Sequence, residues 1–320
     1  MFATLSGALP RPTRTGAREG TDDRPAPDTD VPEDELVRVA IDTQESAGLD
    51  LVTDGRLRAG DPFAADTAWS SGRAAIDSIV AGWEFATRAA TRPVKQSLPG
   101  PYSIAGRAGG GLRVRRRVAL ACAESLNAAV AALAGAGCPL VEIEEAGAAA
   151  IGDDERERTL FRDAHRRVLE GIDAPHVSLA LVGASVDAVG PRAIFDAPYA
   201  SYLFDLVAGP DNWRLVRHAP AERGIVCGAL PATAGRDEPP EILAWAAHYA
   251  ASAGSRGLDR VGLANAAGLQ TIPWTAAVRK LRRLGEAARL AALPADRTSH
   301  ADVDPRARLL PRARRASKRS

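Results

Sequence analysis

Short apolar runs recur along the chain, and most are separated by segments with the composition of helices. Nearly every run closes on a polar, acidic or glycine residue. Buried parallel strands have this appearance, and strands that alternate with helices pair in parallel through crossovers. Eight such runs predict an α/β fold, a (β/α)8 TIM barrel, which places its chemistry at the C-terminal ends of its strands. The runs are Phe2–Ser6, Asp50–Thr53, Val94–Leu98, Leu140–Ile143, His176–Leu181, Tyr202–Leu206, Gly224–Gly228 and Arg260–Ala264.

Alanine-rich periodic segments predict the outer helices. The first helix begins near Pro32, where Glu33, Asp34 and Glu35 suit the positive end of a helix dipole. The connection Ala184–Pro198 shows no clear helix. The other predicted helices are Thr67–Ala90, Val114–Ala136, Glu155–Leu169, Asp237–Ala251 and Trp274–Ala292.

The chain is long enough for two domains, but a single barrel routinely has this length. We expect residues 1–295 to form one barrel, interrupted by a long loop at 10–33 that is rich in Pro, Thr, Asp and Gly. Residues 296–320 are rich in Arg, Pro and Ser, which predicts a basic, disordered tail.

The net charge and the cysteine content limit the classes of partner that we expect. The formal net charge is +1, so no global field attracts nucleic acid or a membrane surface, and we predict neither as a partner. No run is expected to span a bilayer. Three cysteines without a CxxC pair favour a reducing cytoplasm over a disulfide framework. The expected partner is a small-molecule substrate.

Charged residues follow two of the runs, where a barrel carries its site. Arg56 and Asp61 lie in the loop after the second run, and arginine offers paired donors to a carboxylate. Glu144 and Glu145 close the fourth run, and an inward carboxylate costs free energy unless it has a partner or a task. We therefore predict that these four residues bind substrate. A charged loop with internal ion pairs is the alternative for the Arg56 segment.

Three neighbouring runs carry side chains that can bind zinc: His176, Asp205 and Cys227. Zinc accepts imidazole, carboxylate and thiolate in tetrahedral sites. His176 also suits general acid or base catalysis, because the ordinary pKa of histidine is near neutrality. We predict His176 as the catalytic residue and these three residues as metal ligands. The alternatives are a structural histidine and a buried apolar role for Cys227.

Several blocks, in the same order, resemble cobalamin-independent methionine synthase in the single-barrel form of its C-terminal catalytic barrel. The likeness extends to about Leu293 and implies a methionine-synthase/uroporphyrinogen-decarboxylase-like barrel. The blocks are Gly7-Ala8-Leu9-Pro10-Arg11, Gln44 through Gly55, Pro93-Val94-Lys95 with Gly100-Pro101, Val141–Glu145, and Ala267-Gly268-Leu269-Gln270-Thr271.

That family transfers a methyl group from a methylfolate to a thiol held on zinc. The resemblance therefore implies zinc as cofactor and methylfolate as co-substrate. The family ligands, a His-x-Cys motif, a Glu and a Cys before Gly-Leu, fall on His176, Ser178, Asp205 and Ala267. Both thiolates are lost, so we expect a degenerate zinc site in which Cys227 replaces a lost ligand.

Other positions depart from the family as well. The acid that binds the amino-acid substrate falls on Glu144, and a glutamate that contacts its amino group falls on Arg56. Three hypotheses follow. The first is a methionine-synthase-like methyltransferase acting on a thiol or related sulfur compound. The second is a metal-independent enzyme or lyase acting on an anionic small molecule, and the third is a non-catalytic subunit of a protein partner.

Overall fold

The structure, a computed structural model, describes residues 1–12, 31–58, 73–235 and 238–293. Most of the predicted loop at 10–33, the predicted substrate ligand Asp61 and the tail at 296–320 lie outside these residues. The strands are β1 Phe2–Thr4, β2 Gln96–Pro99, β3 Leu140–Glu145, β4 His176–Leu181, β5 Ser201–Asp205, β6 Gly224–Leu230 and β7 Val261–Asn265. The α-helices are α1 Glu33–Ala47, α2 Arg73–Ala89, α3 Pro101–Ala108, α4 Leu112–Gly135, α5 Glu155–Val168, α6 Pro191–Ile194, α7 Trp213–His218, α8 Pro240–Ser252 and α9 Trp274–Ala291. Short 3-10 turns are Ala148–Ile151, Asp187–Val189, Pro210–Asn212, Ala253–Ser255 and Leu258–Arg260.

All described strands pair in parallel and form one sheet in the order β1-β7-β6-β5-β4-β3-β2. Consecutive strands from β2 to β7 are neighbours, which is the order that repeated βα units produce. The predicted α/β class and the parallel alternation of strands with helices are confirmed.

The predicted count of eight strands is not reproduced. The second apolar run forms no strand of the sheet; instead, Leu51 bridges Thr4 of β1 and Val52 bridges Val94, just before β2, both in parallel. Backbone hydrogen bonds at these bridges include Val52 N to the Pro93 oxygen at 3.0 Å and Lys95 N to the Val52 oxygen at 2.9 Å. The segment lies between the two edge strands, which gives a curled, barrel-like sheet.

The helices cover the outer face of the sheet. Side chains at alternate positions of a strand point to opposite faces of the sheet. Tyr202, at an outward position, packs between the sheet and the helices, and its ring centroid is 4.9 Å from that of Phe195. Helix α4 is long and apolar enough to span a bilayer by length and composition, contrary to the sequence expectation. It packs on α3 and α5, as a core helix of the outer layer does.

Inward positions form a separate, smaller cluster on the side of β4 to β7. Its members are small or medium apolar residues that pack on one another and on Phe2: Ala180, Val182, Leu203, Val226 and Ala264. The strand register places Ala180 beside Leu203 and Leu203 beside Val226, so these positions share the inner face. The opposite wall, formed by β2 and β3, is polar.

Candidate active site at the C-terminal rim

An ion pair between Arg56 and Glu144 lies at the C-terminal end of the polar wall. Glu144 is paired in register with Ala180, an inner-face position, so its carboxylate faces the interior. The Arg56 Nη2 donates to Glu144 Oε2, and each side chain is only 11% exposed. Ion pairs on the surface are mobile and weak, whereas the surrounding protein fixes a pair that is this far withdrawn from solvent.

The loop that carries Arg56 is fixed by local hydrogen bonds. Thr53 Oγ1 accepts from the Gly55 N–H at 3.0 Å, and Asp54 Oδ1 accepts from the Arg56 N–H at 2.9 Å. Arg56 itself has φ of 55°, a left-handed backbone that is uncommon for residues other than glycine. Such a conformation costs of order 1 kcal/mol, and functional loops often contain one.

A second charged group lies below the pair on the same wall. Lys95 Nζ is 2.7 Å from Glu142 Oε2, and Ser97 Oγ donates to Glu142 Oε1 at 3.2 Å. The Lys95 and Glu142 side chains are 1% and 2% exposed. In the sequence, Lys95 stands out only as part of the family resemblance. Its position within an apolar run indicates a buried ion pair, because a buried lysine is almost always paired.

The loops after β1 and β7 meet at the same rim. Asn265 accepts from the Ser6 N–H at 2.9 Å and donates to the Ser6 and Ala267 carbonyl oxygens. A Cβ on Gly7, whose φ is +71°, would lie 2.5 Å from the Cα of Gly268. Two blocks of the family resemblance are thus brought into contact.

Glu145 lies on the other face of β3. Its carboxylate accepts from the Tyr102 and Ser103 N–H groups at the start of α3, at 2.9 and 2.8 Å, and is 3.1 Å from His165 Nε2. His165 Nδ1 in turn lies 2.6 Å from the Tyr199 hydroxyl. The carboxylate is fully buried and ties β3 to α3 and α5, so the structure does not bring it to the side of Glu144.

Asp205 is at the C-terminal end of β5, as predicted, but its oxygens are already engaged. Oδ2 accepts from Gly183 N–H at 3.0 Å, and Oδ1 accepts from Val207 and Ala208 N–H at 2.9 and 2.8 Å. The side chain is 1% exposed. It joins the loop after β4 to the loop after β5, which is a structural task.

Cys227 points away from the interior. Its thiol lies 3.7 Å from the Ala246 carbonyl oxygen of α8, and the residue has no exposed surface. Burial raises the pKa of the Cys227 thiol to about 12. The residue is therefore a neutral thiol in the packing between β6 and α8, which agrees with the apolar alternative.

His176 lies at the opposite end of the barrel. It is the first residue of β4 and is paired with Leu140, four residues before Glu144 on the neighbouring strand. At about 3.3 Å per residue this separates the two positions by about 13 Å along the strands. The prediction that His176 shares a rim with Arg56 and Glu144 is wrong, because His176 is the first residue of its strand and therefore lies at the N-terminal edge of the sheet.

The donor set at the rim does not fit a zinc ion. Among the described residues, no group of three His, Cys, Asp or Glu side chains is placed to hold a metal. The inward positions near the C-terminal end of β4 are Ala180 and Val182, and Ala267, the position that the resemblance assigns to the last family ligand, has no donor atom in its side chain. His176, Asp205 and Cys227, the predicted trio, therefore do not form one metal centre.

The fold nevertheless matches known enzymes over nearly its whole length. Its structural neighbours include a B12-independent methionine synthase from Shewanella sp. W3-18-1 in complex with selenomethionine, with a TM-score of 0.71 and 16% identity over 90% of this chain and 96% of that chain. Another is a candidate vitamin-B12-independent methionine synthase from Listeria monocytogenes, with a TM-score of 0.64 and 15% identity over 90% and 97% of the two chains. No protein-family model and no curated protein matches the sequence. The resemblance to methionine-synthase-like proteins is thus confirmed at the level of structure, and at such identities the likeness shows the fold.

Proposed function

We propose that this protein is a metal-independent enzyme with a methionine-synthase-like barrel, whose C-terminal rim binds a small, amino-acid-like zwitterion through Arg56 and Glu144. The observation that carries the proposal is their nearly buried, inward ion pair at the end of the strand wall. Barrels of this kind gather their chemistry at this rim.

The pair has the composition of a clamp for opposite charges. In the absence of ligand, each side chain neutralises the other. A ligand with a carboxylate and an ammonium group would exchange partners with the pair, because its carboxylate accepts from the guanidinium and its ammonium donates to Glu144. On the protein side little further dehydration would be needed in that exchange, since the pair is already withdrawn from solvent. The Shewanella neighbour, in complex with selenomethionine, holds a ligand of this chemical kind.

Methyl transfer to a thiol is the second candidate, favoured by the likeness to methionine-synthase-like proteins over 90% of this chain. Such chemistry needs a thiolate, and a metal supplies it at neutral pH in the resembling family. Methylfolate would then be the co-substrate. The donor set at the rim argues against the zinc-dependent form, so we expect no methionine from homocysteine and methylfolate.

The cellular setting of the proposal is cytoplasmic, which three buried cysteines without disulfides support. The reaction would not involve nucleic acid. A non-catalytic subunit remains the third hypothesis, and co-purification with another protein, together with no ligand binding, would favour it.

Calorimetric titration of chelator-treated protein tests the proposal. The ligands are methionine, homocysteine and analogues of methionine that lack either the carboxylate or the amino group. Arg56→Gln should weaken the binding of methionine at least about tenfold and abolish the preference for methionine over the analogue without a carboxylate. Glu144→Gln should abolish the preference for methionine over the analogue without an amino group. Arg283→Gln, which breaks an exposed pair with Glu286 on α9, is the matched control. Equal affinity in wild type and both rim variants would overturn the proposal.

A further inference from the structure

A cavity of about 560 Å³ opens at the N-terminal end of the strands, opposite the rim that carries Arg56 and Glu144. Residues of five strands contribute to its lining, among them Phe2, Leu140, His176, Ser201 and Val226. Its volume is in the range of small-molecule sites and is many times that of a buried water. The site is separate from the C-terminal rim and does not depend on the function proposed there.

Small residues at the inward positions create this space. A barrel interior is normally filled by layers of bulky branched side chains. Here, the first inward positions of β5 and β6 are Ser201 and Gly224, and a Cβ on Gly224 would lie 2.9 Å from the Ser201 Cβ. A Cβ on Gly262 would lie 2.5 Å from the Phe2 ring, so glycine is required there for the ring to reach β7.

The cavity lining includes the imidazole of His176 and the hydroxyl group of Ser201. His176 Nε2 is 2.8 Å from Ser201 Oγ, which donates to Ser178 Oγ at 2.9 Å, and Ser178 Oγ donates to the Ser201 carbonyl oxygen. The hydrogen-bond network favours the His176 tautomer that carries its proton on Nε2, and in that tautomer Nδ1 is an acceptor. Within the described residues Nδ1 makes no hydrogen bond, so it is available to a ligand donor.

The rest of the lining favours a ligand whose main part is uncharged. Phe2, Leu51, Leu140 and Val226 are apolar, and Phe2 offers an aromatic ring to a flat partner. The charges at the mouth have mixed sign, with Asp50, Glu222 and Asp259 beside Arg223 and Arg260. Three acids face two arginines, and this small excess of negative charge does not favour a multiply charged ligand.

We propose that this cavity is a second binding site for a small aromatic molecule that carries a hydroxyl or N–H donor, with the donor on His176 Nδ1 and the ring beside Phe2. Phenols and indoles are the simplest members of this class. Toluene has the size of phenol but no donor. The difference between the affinities of the two therefore reports the hydrogen bond apart from the burial of apolar surface.

The test is ligand-observed NMR titration of the full chain with phenol, indole and toluene. Wild type should bind phenol about five- to tenfold more tightly than toluene, the value of one neutral hydrogen bond. His176→Phe, which keeps a ring of similar size, should equalise the two ligands, while Arg283→Gln on the exposed face of α9 should leave the preference unchanged.

Leu140→Trp fills the cavity from β3 and should weaken all three ligands. Circular dichroism establishes that each variant is folded, and His176→Phe decides the question if Leu140→Trp is not. Absence of saturable phenol binding to wild type, an equal affinity for toluene, or a preference that survives His176→Phe would each overturn the proposal.

Discussion

The buried pair of Lys95 and Glu142 gives a quantitative test of the polar wall. Lys95→Met removes the cation while keeping most of the side-chain volume. It leaves the Glu142 carboxylate, 2% exposed, with only the Ser97 hydroxyl as a described hydrogen-bond partner. Breaking a buried pair by removing one partner typically costs about 3–5 kcal/mol, because an uncompensated charge stays in the interior.

For a chain of this size, about 2 °C of melting temperature corresponds to 1 kcal/mol, so Lys95→Met should melt about 6–10 °C below wild type. Adding Glu142→Leu to the same chain should recover most of that loss, because the isolated charge is then gone. Thermal melting followed by circular dichroism measures both, with Arg283→Gln as the surface control. A loss below about 2 °C in the single variant, or an additive loss in the double variant, would refute the reasoning.

Three further outcomes are expected. The native protein should react slowly with a thiol reagent at pH 8 and quickly in denaturant, because its cysteines are buried and the pKa of Cys227 is raised to about 12; rapid native labelling would contradict this. Partial burial lowers the pKa of His176 below its ordinary 6.5, so the unfolded state takes up a proton first and the melting temperature should fall slightly as the pH drops below about 6.5. His176→Phe should reduce that slope, and an unchanged slope would reject the assignment. Gly7→Ala should destabilise the protein more than Gly109→Ala, because both glycines have φ near +71° but only Gly7 also meets the backbone of Gly268; equal losses would show that the rim contact does not matter.

The sequence pattern was sufficient for the order and class of the elements. Apolar runs correspond to strands because both faces of a parallel sheet are covered, and α5 and α9 begin at the predicted residues. The segment Asp50–Thr53 was indistinguishable from a strand by pattern. Its pairing depends on neighbours on both sides, and only single bridges form.

The site was harder to predict because position along a strand decides which end a side chain occupies. Glu144 was placed correctly by alternation and by its location after a run. His176 is the first residue of its run. The apolar residues that follow it, through Val182, form the rest of the strand, so His176 lies at the N-terminal end. Glu145 ends β3 and Cys227 lies in the middle of β6, and alternation turns both side chains toward the helices.

Equilibrium binding of methionine to chelator-treated protein, measured with and without added zinc, tests the central claim most directly. We expect saturable one-to-one binding that zinc does not change and that Arg56→Gln weakens at least about tenfold. Binding that appears only after zinc is restored, or that is as tight in Arg56→Gln as in wild type, would contradict the account.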